Sequence, residues 1–448
     1  MLAVLKKNKK IILFFIFCYI MIFCFNFFKN VDLDLLWNYG FSKNISDGLI
    51  IYKDFNMVIT PLYPLLTGLI MKIFGTNMII FYIINTFYAM LTLFIVYKLN
   101  KKLIFPFFIY FIFNTAPGYN TLSVFYVFLL IYLEKNNKSD YLIGLIISLA
   151  FLTKSSIGVF LALPTLYYIK KPKKILKRII PFLITNLIVI VYLYFNNALY
   201  DYINYAFLGL LDFQGDNGNF NPITIIVILM IIYLIREYLK IKDKELLYIL
   251  AFQIMAYPLF NINHTLLAFT PVVYYLLKKY PKINNLIIKT APIFILIPII
   301  SLIINYNICK PTYDDNLFKY RYLQKEYRSD IDALENYFNG EYDNVYFFMM
   351  EAYLYKLTLN IPITEYDLTL KGNLGYNGEE EMINKIKNLD DGSIIVTSAI
   401  FQESKSSIIK TQASRKIYDY ITKNLSPIGQ FHKFRVYIKW WIDKTRKI

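Results

Sequence analysis

The chain has 448 residues, 57% of them hydrophobic and 18% charged, with a mean hydropathy of +0.43. Soluble domains run at about 45–50% apolar and about a quarter charged, so an ordinary soluble enzyme, a disordered chain and a disulfide scaffold are all excluded. The net charge of +17 is not a nucleic-acid footprint: residues 306–448 hold 20 basic and 19 acidic side chains, and the excess lies between apolar segments of residues 1–305.

Lys6, Lys7, Lys9 and Lys10 precede an apolar run from Ile11 to Phe28. No small-residue cleavage pattern follows, which predicts an uncleaved first span running from cytoplasm to outside. Residues 29–60 then form a polar outer loop. Within it Leu33, Trp37, Phe41, Ile45 and Leu49 recur every fourth residue, predicting an amphipathic helix at the membrane surface. Asp34, Asn38 and Ser42 make a second row on another face. Asp32 and Asp34 fall at the helix N-terminus, where the dipole favours negative charge and either can serve simply as a cap. The stretch "PLYPLLTGLIMKIFG" is short for a span and predicts an interfacial or re-entrant piece.

Met78–Tyr97 is the next span, ending in "KLNKK". Further spans are predicted at 103–115, 119–133, 141–153, 157–169, 179–195, 222–239, 246–260, 264–277 and 287–305, eleven in all. Several fall below the roughly 20 residues a straight crossing needs, so they are paired, kinked or extended into the interface. The inner ends carry 22 Lys and Arg, against five on the outer side (Lys29, Lys43, Lys53, Lys72 and Lys154). The positive-inside rule therefore places the N-terminus in the cytoplasm and residues 306–448 outside, in a plasma-membrane protein. That tail predicts a small soluble α/β domain, with strands in "NVYFFMM", "GSIIVTSA" and "FHKFRVYIKWW" and helices in "EEEMINKIKNL" and "ASRKIYDYITKNL". The predicted fold class is an all-α polytopic membrane protein, a transmembrane module over 1–305 with an extracytoplasmic α/β domain over 306–448.

Chemistry concentrates in the first outer loop. Cys18, Cys24, Cys309, His264 and His432 form no disulfide or metal pattern, and "GDNGN" reads as a turn. Asp54 precedes Pro61 by seven residues, either solvated, paired with Lys53 or Lys43, or part of a site. An aspartate just after the first span, a glycine fourteen residues later (Asp34 to Gly48), then "YKDF" and a proline-led segment ending "FG" resembles the GT-C membrane glycosyltransferases. The likeness, over about residues 30–100, is to the bacterial branch related to protein O-mannosyltransferases and aminoarabinose transferases, glycosyltransferase family 39-like. It implies inverting transfer of a sugar from a polyprenyl-phosphate donor to a cell-envelope glycan, lipid or protein on the outer membrane face. It implies Asp34 as general base and no cofactor, with a divalent cation left open. The family often has Glu directly after the catalytic Asp, whereas Leu35 follows Asp34, so Asp32 and Asp34 both remain candidates.

The leaving group in such a reaction is a phosphate ester, stable as an anion, so one carboxylate suffices and a fixed cation assists departure. Two residues on predicted outer turns supply candidates: Lys154 in "FLTKSSIG" and His264, beside Asn261, in "PLFNINHTLLAF". The alternatives are an interface anchor for Lys154 and a backbone-bonded turn residue for His264. Asp32, Asp54, Lys154, Asn261 and His264 are thus the expected substrate-binding residues around Asp34. A transporter or flippase of lipid-linked saccharides is the competing class, and a polysaccharide polymerase or ligase the third. A transporter should show internal repeats, and none is legible.

Overall fold

The computed structural model describes residues 2–28, 33–167, 172–209, 211, 222–257, 260–309, 325–349, 351–365, 367, 373–399 and 414–440. Asp32 and the "GDNGN" turn lie outside them. The chain is mostly helical: α1 (Leu2–Phe27), α2 (Leu33–Ser46), α3 (Leu62–Phe74), α4 (Met78–Leu99), α5 (Ile104–Asn114), α6 (Tyr119–Lys135), α7 (Asp140–Thr153), α8 (Ser155–Tyr167), α9 (Pro172–Phe195), α10 (Leu199–Ile203), α11 (Pro222–Ile241), α12 (Lys244–Phe252), α13 (Ile262–Lys279) and α14 (Pro281–Cys309). The tail adds α15 (Lys325–Phe338), β1 (Val345–Phe347), α16 (Ala352–Thr358), α17 (Gly378–Lys387), β2 (Ile394–Ser398), α18 (Arg415–Asn424), β3 (Ser426–Phe431) and β4 (Phe434–Ile438).

Two compact units result: residues 1–46, 60–191 and 220–311 form one, and residues 47–59, 192–219 and 312–448 the other. Each of the eleven predicted spans overlaps a helix, and among the described residues four helices are long and apolar enough to cross a membrane: Lys9–Phe27, Met78–Leu99, Pro172–Phe195 and Pro222–Ile241. Large apolar side chains stand exposed along α9 (Leu183, Leu187, Ile188), α11 (Leu229, Ile232) and α14 (Leu286, Ile293, Leu296). Water would not tolerate so continuous an apolar surface, and lipid requires it. This is a multi-pass membrane protein.

In the first unit α4 is central, started by Asn77, whose side chain accepts from the Ile80 N–H, and packed between α1 and α6. α2 and α3 pack tightly on each other; a Cβ added at Gly68 of α3 would come within 2.7 Å of the Ser42 carbonyl of α2. The feet of α6, α7 and α9 are joined by Arg178, which reaches Glu134 at 2.5 Å and Asp140 at 2.7 Å, while Tyr248 donates to the same Glu134 at 3.0 Å.

α2 differs from its expected surface-lying form. Its apolar Leu36, Phe41 and Ile45 are buried, but so are Asn38, Ser42, Asn44 and Ser46 on its polar side. Beyond the exposed Asp34 the polar row is not solvated. It spends its hydrogen bonds inside the protein: Asn38 donates to the Asp34 carbonyl at 2.6 Å and Ser42 to the Asn38 carbonyl at 2.8 Å.

The second unit holds a four-stranded sheet of order β1-β2-β4-β3, with β1 parallel to β2 and the other pairs antiparallel. Both helices expected in this region form, as α17 and α18, and they cover the sheet around Phe348, Met382, Ile386, Ile395, Ile417, Ile421 and Tyr437. β3 was not expected. It carries Pro427 and Gly429, which a central strand excludes, but it lies at the sheet edge, where a missing donor is tolerated. Residues 47–59 and 192–209 belong to this unit: Asn56 donates to the Asn373 carbonyl at 3.2 Å, and Asn204 accepts from the Tyr376 N–H at 2.7 Å.

Candidate active site

Asp34 lies in the first turn of α2, where unpaired backbone N–H groups favour a carboxylate, and its side chain is exposed. Every following residue to Ser46 except Trp37 and Lys43 is buried. The carboxylate therefore stands at the accessible end of an otherwise enclosed helix.

Lys154 sits between α7 and α8. Its N–H donates to the Ala150 carbonyl at 2.9 Å and its carbonyl accepts from Gly158 at 3.1 Å, so its backbone closes one helix and opens the next. The two helices run so close that a Cβ at Gly158 would meet Phe151 at 2.3 Å. From this fixed corner the ammonium donates to Asn120 Oδ1 at 3.2 Å and Met255 Sδ at 3.4 Å, and it lies 5.4 Å from the Tyr119 ring centre. All three partners are neutral. Burial pushes the Lys154 pKa down to about 8, and the negative charge of Asp34 opposes that shift. Asp34 and Lys154 are thus electrostatic neighbours, and Tyr119 also lies in the field of Asp34.

His264 is buried in the first turn of α13. Asn261 caps that helix: its Oδ1 accepts the His264 N–H at 2.8 Å and pairs with the ring Nδ1 at 2.9 Å. An amide oxygen only accepts, so Nδ1 carries the ring proton and Nε2 is left as the acceptor. His264 is within electrostatic range of Lys154. Asp34, Lys154, Asn261 and His264 are therefore brought together within the first unit, although they lie far apart in sequence.

Asp54 belongs to the second unit. Its Oδ2 accepts from the Ile50 N–H at 2.7 Å and its own N–H donates to the Ile50 carbonyl at 3.0 Å, closing a turn around Tyr52, which adopts a φ of +65°. One carboxylate oxygen is therefore committed to backbone. Asn38 belongs to the polar row of the first outer loop, whereas Tyr119, Asn120 and Met255 are not distinguished by sequence alone. The signal for Tyr119 and Asn120 is "NTAPGYN", a polar Pro-Gly turn between two apolar runs, on the same predicted outer side as Lys154.

A cavity of about 1120 Å³ opens among α8, α11, α12 and the segment up to Phe260. Its lining is mostly apolar, including Phe160, Leu163, Val227, Ile231 and Leu250, and takes in Gln253, Ile254, Tyr257 and Phe260. Met255, the sulfur partner of Lys154, belongs to that same segment.

No protein-family model and no curated protein sequence matches this chain. Among solved structures the chain is similar to that of ArnT from Cupriavidus metallidurans bound to undecaprenyl phosphate. The likeness covers 96% of this chain and 98% of that one, at a TM-score of 0.55 and 8% sequence identity. At that identity the likeness is one of fold alone, and it agrees with the fold that the resemblance in the first outer loop implies.

Proposed function

We propose that the protein is an integral-membrane glycosyltransferase that takes a sugar from a polyprenyl-phosphate donor on the outer face of the membrane. One observation carries the reading: a partly buried lysine ammonium, flanked by neutral Asn120, Met255 and Tyr119, sits in the field of an exposed carboxylate at a helix N-terminus. An enclosed ammonium is costly to desolvate, and an incoming anion repays that cost. An exposed carboxylate beside it is placed to accept a proton.

In this mechanism Asp34 takes the proton of the acceptor hydroxyl as its oxygen attacks the anomeric carbon. The bond from that carbon to the phosphate oxygen breaks on the opposite face, and the phosphate leaves with the electron pair. The anomeric configuration inverts. Lys154 stabilises the departing phosphate by charge-assisted hydrogen bonds, and His264 Nε2 offers an acceptor to a sugar or water hydroxyl. The polyprenyl chain occupies the apolar cavity beside Met255, which puts its phosphate end near Lys154. The acceptor is a cell-envelope glycan, lipid or protein, and no cofactor enters the step. The resemblance in the first outer loop and the GT-C-type fold support the same reading. In this reading the chain crosses the membrane eleven times, with the N-terminus inside and residues 306–448 outside, as the distribution of basic residues supports.

Lys154→Ala tests the leaving-group assignment. Losing a charge-assisted contact worth about 1.5–3 kcal/mol should lower transfer by about ten- to a hundredfold with normal membrane insertion. A variant inserted at native levels and transferring at the native rate would reduce Lys154 to an interface anchor.

A further inference from the structure

We propose that Asn38 is a positioning residue that fixes the Lys154 ammonium relative to Asp34 by way of the Gly118–Asn120 turn. Its catalytic consequence rests on the glycosyltransferase reading, while its geometry does not. Asn38 is 4% exposed and lies one helical turn beyond Asp34. Its Nδ2 holds the Asp34 carbonyl at 2.6 Å, and its Oδ1 accepts from the Tyr119 N–H at 3.4 Å. One amide thus grips the residue that carries the base and the residue that begins α6.

The turn is seated on that amide. Gly118 has a φ of +150°, and a Cβ there would come within 3.0 Å of Asn38 Nδ2. A second buried amide holds its other side: Asn85 Oδ1 accepts from the Gly118 N–H at 2.8 Å and from the Tyr63 hydroxyl at 2.9 Å, while its Nδ2 donates to the Phe81 carbonyl at 2.9 Å. The two amides supply partners to the first N–H groups of α6, which have none within the helix. The next side chains along are the ones that surround Lys154, the Tyr119 ring at 5.4 Å and Asn120 Oδ1 at 3.2 Å. A buried position that must donate to the Asp34 carbonyl of its own helix and accept from the start of α6 suits Asn and defeats Ala or Leu.

A double-mutant cycle separates this role from ordinary packing. Wild type, Asn38→Ala, Lys154→Ala and the double variant are titrated with undecaprenyl phosphate in detergent. Asn38→Ala should weaken binding about fivefold alone and less than about twofold when Lys154 is already alanine. A second readout needs no lipid: reductive methylation followed over pH, with the Lys154 peptide read by mass spectrometry. Wild-type Lys154 should titrate near pH 8, and Asn38→Ala should raise that midpoint as the ammonium leaves its enclosed seat. Gly118→Ala, which pushes on Asn38 from the other side, should move both readouts the same way. Independent, additive losses in the cycle, or a midpoint unchanged in both variants, would overturn the proposal. Failure of the wild type to bind undecaprenyl phosphate would instead sink the functional reading, and the labelling midpoint would still decide the role of Asn38.

Discussion

Lys154 is charged only while the pH lies below its depressed pKa of about 8. The folded-state value lies under the ordinary lysine value of 10.5, so its proton is lost as pH rises through about 8 rather than near 10.5. If the charge holds the leaving phosphate, transfer should fall along an upper limb centred near pH 8. Lys154→Arg, charged throughout, should flatten that limb even if its absolute rate is lower. A pH-rate profile of both forms checks this, and an upper limb identical in the two would detach it from Lys154. At this scale the sequence was legible where a residue was chemically isolated. Lys154 stood out as a lone basic residue on an outer turn, and His264 as one of two histidines. Asn120 did not, because a lone asparagine signals little until its partners are known, and Asn38 stood out only as part of a row. Asp54 matched the family pattern, yet the structure gives one of its oxygens to the Ile50 N–H.

Periodicity located α2 within a few residues but misjudged its surroundings. A row of Asp34, Asn38 and Ser42 opposite an apolar stripe looks like a solvated face, and the calculation from spacing cannot see α3 arriving on that side. Gly68 is what admits it, with space for a hydrogen but not a methyl against the Ser42 carbonyl. Gly68→Ala should therefore lower stability by about 1–3 kcal/mol, seen as a reduced Tm in detergent, because backbone rather than a flexible side chain must yield. An unchanged Tm would mean the crossing relaxes freely. β3 escaped the sequence reading for a parallel reason: Pro427 and Gly429 argue against a strand until its edge position is known. In both cases local pattern was read correctly and the neighbouring element was missing.

Over the whole molecule, composition gave the class and the loop motif gave the fold type, while the grouping of segments was not legible. Residues 47–59 and 192–219 join the tail in one compact unit, through contacts such as Asn56 with Asn373 that span hundreds of positions and leave no periodic trace. The 22-to-5 distribution of basic residues makes a topological claim that is simple to check. A reporter active only in the cytoplasm, fused after Ile448, should be inactive, and one active only outside should work. The reverse would overturn the eleven-span arrangement. The central claim, that Asp34 is the base of a polyprenyl-phosphate-dependent transferase, is tested most directly by one assay: sugar transfer from a polyprenyl-phosphate donor in membranes carrying wild type or Asp34→Asn at equal levels. Removing a positioned base costs about 10²–10⁴-fold, so Asp34→Asn should lose at least about a hundredfold while the wild type transfers. A variant as active as the wild type would contradict the account.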